Sequence, residues 1–412
     1  MDSGDIAFML VCTALVFLMT PGLAFFYGGL VQKKNVANTM MACAYSIGVA
    51  TILWVTIGYS LSFGSDHLGI IGGFNWVGWQ GVGWEAGPYA DTIPHMLFAT
   101  FQMMFAIITV SLLTGSIVGR MSFKALAMIV PLWLIVVYFP MAHMVWGEGG
   151  FLAGIGSVDF AGGTVVHISS AVSALVLAIA VGPRRGFGQH SFRVHNIPFV
   201  ALGAFLLWFG WFGFNAGSAL AANELAVHAF VTTMVAAASA LVVWMVIDVV
   251  KSGRPTLVGA STGAVVGLVG ITPGAGFVPV WSAPIIGAGA SLLCYFAISL
   301  VKGHFGIDDA LDVFACHGVG GIWGGIATGL FAERGINDVA RWDGLIHGDV
   351  RLFLAQLAAT AVTILVAAVG TWICVHVVKL ITPLRVSEYQ ESRGLDISQH
   401  GERAYPAFNG LE

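Results

Sequence analysis

The sequence predicts an all-α polytopic membrane protein of eleven transmembrane helices. Three observations carry this: poverty of charge, apolar runs of bilayer length, and a one-sided distribution of basic residues. Of 412 residues, 58% are hydrophobic and only 9% charged, where a soluble domain carries roughly a quarter charged residues. That composition excludes a disordered chain, a nucleic-acid binder and a secreted disulfide scaffold. The 54 glycines suit helices that touch closely inside a bilayer. Cys12, Cys43, Cys294, Cys316 and Cys374 all lie in apolar stretches without CxxC spacing and read as small buried hydrophobes.

A hydrocarbon core of about 30 Å takes about 20 helical residues. On that ruler spans are expected at 6–31, 38–63, 93–118, 122–146, 159–182, 196–218, 224–250, 256–273, 280–302, 309–332 and 352–380. The first follows Met1-Asp2-Ser3-Gly4-Asp5; with no basic n-region ahead of it, it reads as a true span and not a cleavable signal. The eighth and ninth are divided at Thr272-Pro273-Gly274-Ala275-Gly276, a turn signal. Basic residues follow the odd-numbered spans: Lys33 and Lys34, Arg120 and Lys124, Arg184, Arg185 and Arg193, Lys251 and Arg254, Lys302, and finally Lys379, Arg385, Arg393 and Arg403. One side thus holds 14 of the 17, which predicts an outer N-terminus and a cytoplasmic C-terminus. Acidic residues lean the other way, giving local nets of −9 outside and +5 inside. An acidic outer face concentrates cations.

Span five opens Asp159-Phe160-Ala161-Gly162-Gly163-Thr164-Val165-Val166-His167, and span ten opens Asp309-Ala310-Leu311-Asp312-Val313-Phe314-Ala315-Cys316-His317. Each has an acid first and a histidine eight residues later. Pro21-Gly22-Leu23-Ala24-Phe25-Phe26-Tyr27-Gly28-Gly29 of span one loosely matches Gly210-Trp211-Phe212-Gly213-Phe214-Asn215-Ala216-Gly217 of span six. A five-span unit repeated once is necessarily inverted, so two inverted repeats are expected at about 6–182 and 196–332, with a site where they meet. Eight helical residues rise about 12 Å, which brings His167 and His317 toward the membrane centre from opposite sides. Glycine stripes at Gly259/Gly263/Gly267, Gly320/Gly324 and Gly321/Gly325/Gly329 predict close helix packing or subunit contact.

Acids occur only near span ends (Asp159, Glu224, Asp248, Asp308, Asp309, Asp312). An ion-coupled carrier uses intramembrane charge; here the ionisable groups at depth are the two histidines. Neutral imidazoles suit an uncharged or deprotonated solute. Phe101 and Phe105 lie one turn apart, Trp146 closes span four, and Phe214 and Ser218 end span six. An indole face beside a hydroxyl is able to hold a small cation. Two other classes fit parts of this pattern: a redox subunit with His167 and His317 as haem ligands, and a receptor that binds without transporting.

The Asp159–His167 run, Ala142-His143-Met144-Val145-Trp146-Gly147, Gly210-Trp211-Phe212-Gly213-Phe214-Asn215-Ala216-Gly217-Ser218 and Asp312–Val319 resemble the signatures of the ammonium transporter family (Amt/Mep, related to the Rh proteins). The resemblance spans nearly the whole chain and favours the Amt-type bacterial and archaeal branch. It implies a homotrimer in the cytoplasmic (inner) membrane, surrounded by lipid, with one conduction path per subunit and without a cofactor, metal or enzymatic activity. Trp146 and Ser218, with Phe101 and Phe105, match its outer ammonium-recruitment site. Phe105 and Phe214 match its phenyl gate, His167 and His317 its paired pore histidines, and Asp159 its essential acid, which also suits a helix cap. The implied activity is recruitment of ammonium (or methylammonium), deprotonation, and conduction of ammonia with separate, electrogenic proton transfer; the alternative is an ammonium-sensing receptor. Residues 1–383 would form the transporter domain. The tail 384–412, through Arg385, Gly394 and Asp396, matches a cytoplasmic regulatory segment that couples subunits at a face blocked by a PII signalling protein in relatives. Glu148 stands where the family often has glycine and is expected to belong to a loop.

Overall fold

The computed structural model describes residues 1–405; Pro406 and the rest of the tail to 412 lie outside the described residues. Helices dominate: α1 Ser3–Leu30, α2 Lys33–Phe63, α3 His95–Ser116, α4 over 123–146, α5 Gly163–Val181, α6 Ile197–Ala219, α7 Glu224–Ser252, α8 Leu257–Ile271, α9 Val280–His304, α10 over 314–331, and α11 Val350–Lys379. Nine of these, among the described residues, are long and apolar enough to cross a membrane. The other two are α8, of 15 residues, and α10, whose regular α-helical part, Gly320–Phe331, has 12 residues.

Several helices start where a short polar side chain accepts a free N–H at the first turn. Asp2 serves α1, Asn196 α6, Asn223 α7, Thr256 α8 and Asp349 α11. Between α2 and α3 the chain forms two short antiparallel hairpins, Asp66–His67 with Ile71–Gly72 and Ala86–Gly87 with Ala90–Pro94. Helix α1 lies along α6, α7 packs with α8 and α9, and α5 touches both α10 and α11. The stripe in α8 serves contact within the chain: a Cβ on Gly267 would stand 2.7 Å from the Ala236 carbonyl of α7. All five cysteines are buried and unpaired.

Two predicted boundaries are corrected. Spans five and ten were expected to be helical from Asp159 and Asp309, but the helices begin at Gly163 and near Phe314. The preceding residues cannot continue a right-handed helix, because Gly162 has φ +119° and Asp312 φ +60°. The expected rise over eight helical residues therefore does not apply; the histidines sit in the first, π-helical turns of α5 and α10. The last helix also runs from 350, two residues before its expected start.

Within the described residues the tail packs on the α1–α2 and α3–α4 turns. A short helix, α12 Glu388–Arg393, carries a capping box at Ser387. Arg385 pairs with Glu391 at 2.8 Å, Gly394 (φ +101°) lies against Lys34, and the Asp396 carboxylate accepts from the Asn38 N–H at 2.8 Å.

Candidate functional site

Trp146 ends the long α4 helix, and its indole N–H donates to the Asp159 carbonyl at 2.9 Å. One turn earlier, buried His143 bonds the Asp66 carboxylate at 2.9 Å and the Ser62 carbonyl at 3.1 Å, which fixes that helix end to the α2–α3 connection. The hydrogen bond from His143 holds Asp66 below the usual carboxylate range. Phe101 and Phe105, both buried on α3, lie edge to face at 5.0 Å. Ser218 follows on α6; its hydroxyl donates to the Phe214 carbonyl at 2.8 Å, which leaves its lone pairs as acceptors. Gly217 permits this approach, since a Cβ there would meet the Phe101 ring at 2.9 Å.

From this cluster the rings run into the helix bundle without a break. Phe105 stands 5.8 Å from Trp146, edge to face. It stacks on Phe214 with centroids 4.2 Å apart and planes 22° from parallel. Phe214 lies 6.2 Å from His167, and His167 lies 5.3 Å from His317, again nearly parallel. The two Nδ1 atoms are 3.3 Å apart, so one imidazole donates and the other accepts. The cavity between Phe214 and His317 is walled by Leu23, Ile108, Leu112, Val166, Leu207 and Val265. Its volume is about 10 Å³, barely the space of one water molecule, and the wall offers almost no polar partner. Below His317 the space widens to about 580 Å³, bordered by Asp248, Lys302 and Asp312.

Asp159 does not line this path with its carboxylate. It accepts the N–H groups of Gly162 at 2.8 Å and of Gly163 and Thr164 at 2.7 Å, as well as the Thr164 hydroxyl. Those are the unpaired donors at the start of α5, where the helix dipole also favours an anion. The left-handed Gly162 folds the chain back so that one carboxylate reaches all three. Asp309 accepts the N–H of Phe314 at 2.7 Å in the same manner.

The structure therefore brings together Trp146, Phe101, Phe105, Phe214, Ser218, His167 and His317, with Asp159 behind α5. Arg385, Gly394 and Asp396 lie apart in the tail. Glu148 is exposed, and its backbone N–H donates to Tyr89. Sequence reasoning assigned no role to Trp211, whose ring stacks on His167 at 5.3 Å and 19° while its N–H donates to Thr272 at 2.8 Å. The signal was present: Trp211 precedes Phe214 by three residues, which places both on one helix face. Among the described residues no cluster of three or more His, Cys, Asp or Glu is placed to hold a metal ion.

A polytopic helical protein with a narrow apolar passage between aromatic and histidine rings belongs to the class of membrane transport proteins for small solutes. Residues 7–405 match the Ammonium Transporter Family, and the chain belongs to that family. It is 47% identical over 405 residues to the ammonium transporter of Bacillus subtilis (strain 168), covering 98% of this chain and 99% of that one. It is 46% identical over 406 residues to the ammonium transporter Amt1 of Archaeoglobus fulgidus, with coverages of 98% and 100%. The crystal structure of Saccharomyces cerevisiae Mep2 superimposes with a TM-score of 0.89 at 35% identity, over 95% of this chain and 90% of that one.

Proposed function

We propose that this chain recruits ammonium at Trp146 and Ser218, with Phe101 beside them, strips its proton, and conducts ammonia past Phe105 and Phe214 along His167 and His317. The observation that carries the reading is the unbroken file of rings around a passage too small and apolar to stay wet. An isolated cation in such a medium costs tens of kcal/mol by solvation alone, whereas a neutral polar group loses about 2–7 kcal/mol of hydrogen bonding. The dry section therefore admits ammonia and rejects ammonium. Within it the imidazole nitrogens are the polar groups available to the solute. The 3.3 Å contact between them provides a route for the proton to cross separately, which makes net transport electrogenic. Asp159 acts through α5, holding the helix start that carries His167.

In this reading the eleven helical segments all cross the membrane, and α1–α5 and α6–α10 are inverted repeats. The N-terminus lies outside and the tail inside, in the cytoplasmic membrane, and a homotrimer is the working form. The neighbourhood of α1 with α6 and of α5 with α10 supports the repeat. The tail contacts at Lys34, Asn38 and Val181 support a regulatory role at a face that a PII protein is able to reach. The test is uptake of labelled methylammonium, with growth on low ammonium at acidic pH, in cells lacking their own ammonium transport. Uptake above vector control is expected; specific binding without uptake would replace this reading with a receptor.

A further inference from the structure

Arg120, in the turn between α3 and α4, is wholly buried, although a basic residue in a connection is ordinarily solvated. Its Nε donates to the Gly182 carbonyl and its Nη2 to the Asp308 carbonyl, each at 2.6 Å, while Nη1 has no protein partner. Both acceptors are main-chain oxygens. Gly182 is the C-cap of α5, the helix that opens with His167. Asp308 begins the short segment that leads into α10 and His317. The Asp308 carboxylate is taken by Arg184, whose Nη2 and Nε reach it at 2.6 and 2.8 Å. The α3–α4 turn holds that segment a second time, where the Ala310 N–H donates to the Ser116 carbonyl at 3.2 Å.

A buried guanidinium is heavily penalised for lost hydration, and burial presses Arg120 down to about 10, still protonated at neutral pH. An apolar side chain would fill this volume without that penalty. What it would not do is join two carbonyls from distant loops through one planar, rigid fork. A cation at the last carbonyls of α5 is also favoured by the helix dipole.

We propose that Arg120 is a positioning residue of the conduction path. Its guanidinium ties the inner end of the His167 helix to the segment that launches the His317 helix, and so sets the spacing of the two rings. This rests on the reading of the histidine pair as part of the path. When the tie loosens, the rings part, water enters the dry section, and hydrated cations follow.

The test uses the full chain in proteoliposomes and reads potassium efflux relative to methylammonium uptake. Arg120→Met keeps most of the volume without the fork, and Arg120→Lys offers one donor point where two acceptors wait. Each is expected to raise the potassium-to-methylammonium ratio about tenfold, the scale on which small displacements of a positioned group act. A merely destabilised protein loses both fluxes together and leaves the ratio alone. An unchanged ratio in either variant overturns the proposal. Should both fail to fold, Arg184→Gln cuts the parallel tie through the Asp308 carboxylate and is expected to move the ratio in the same direction; no change there overturns it equally. If the wild-type chain carries no methylammonium, the transport reading itself has failed, which is a separate result.

Discussion

Replacing His167 by alanine tests the conduction path where the structure constrains it most. The imidazole is buried, its Nδ1 meets that of His317 at 3.3 Å, and its face stacks on Trp211. The substitution removes one partner of a buried hydrogen bond and leaves the His317 Nδ1 without it. An unsatisfied buried polar group costs about 1–3 kcal/mol. If the histidine section of the path loses that much stabilisation for the proton in transit, the rate falls roughly 5- to 150-fold. The assay is the charge displaced by an ammonium pulse across protein reconstituted on a supported membrane, normalised to reconstituted protein, with wild type alongside. A current undiminished in His167→Ala would refute the reasoning, because the proton would then be crossing by a route that does not use the ring pair.

Other perturbations address the remaining parts. Phe214→Ala removes a fully buried ring stacked at 4.2 Å on Phe105; a loss of about 3–5 kcal/mol is expected from the cavity, read as a lower thermal midpoint, together with rubidium leak where wild type has none. Trp146→Leu removes a cation–π contact of about 1–2 kcal/mol and should raise the methylammonium concentration for half-maximal uptake about 5- to 30-fold with little change at saturation. Burial raises the Asp308 carboxyl, but its bonds to Arg184 and the nearby guanidinium charges bring it net below the usual range. Its contribution to stability is therefore complete above about pH 4, the ordinary aspartate value, and is lost as pH falls through the lower folded value. Unfolding midpoints followed from pH 6 to pH 3 should show this loss in wild type and less of it in Asp308→Asn. Gly394→Ala places a side chain at φ +101° and 2.6 Å from the Lys34 Cβ; the tail should undock, seen as faster amide exchange across residues 385–400.

Much of this was legible because bilayer thickness acts directly on sequence. Apolar runs of about 20 residues gave helix positions to within a few residues for α1, α4, α6, α7 and α11. The pair Phe101 with Phe105 was legible from helical spacing; Trp211 with Phe214 has the same kind of spacing and was not read from it. The late starts of α5 and α10 were not. Nothing in Asp159–Ala161 or Asp309–Leu311 forbids a helix, and the break depends on the left-handed residues at 162 and 312. Arg120 was illegible for another reason. In sequence it is one more basic residue in a connection, and its burial is made by loops 62 and 188 residues further along the chain.

The two histidine helices show why the likeness between their segments is faint in sequence and close in space. Three residues after each acid the backbone turns left-handed, at Gly162 and at Asp312. Five residues after it an N–H returns to the carboxylate, from Thr164 and from Phe314. Eight residues after it comes the histidine, in a π-helical turn. Glycine takes the left-handed position in one segment without steric cost. In the other, aspartate takes it, one of the few side chains that tolerate that region, and it is held by Lys302 at 2.7 Å. What recurs is a backbone path, and residue identity recurs only where the path leaves no choice: the carboxylate that gathers the free N–H groups and the ring that meets its counterpart. Each acid aims its histidine by fixing the helix start, so the distance between the rings depends on two capped helix ends and on whatever joins them at the far side. That dependence is what makes a buried arginine near neither histidine a determinant of how closely the rings meet.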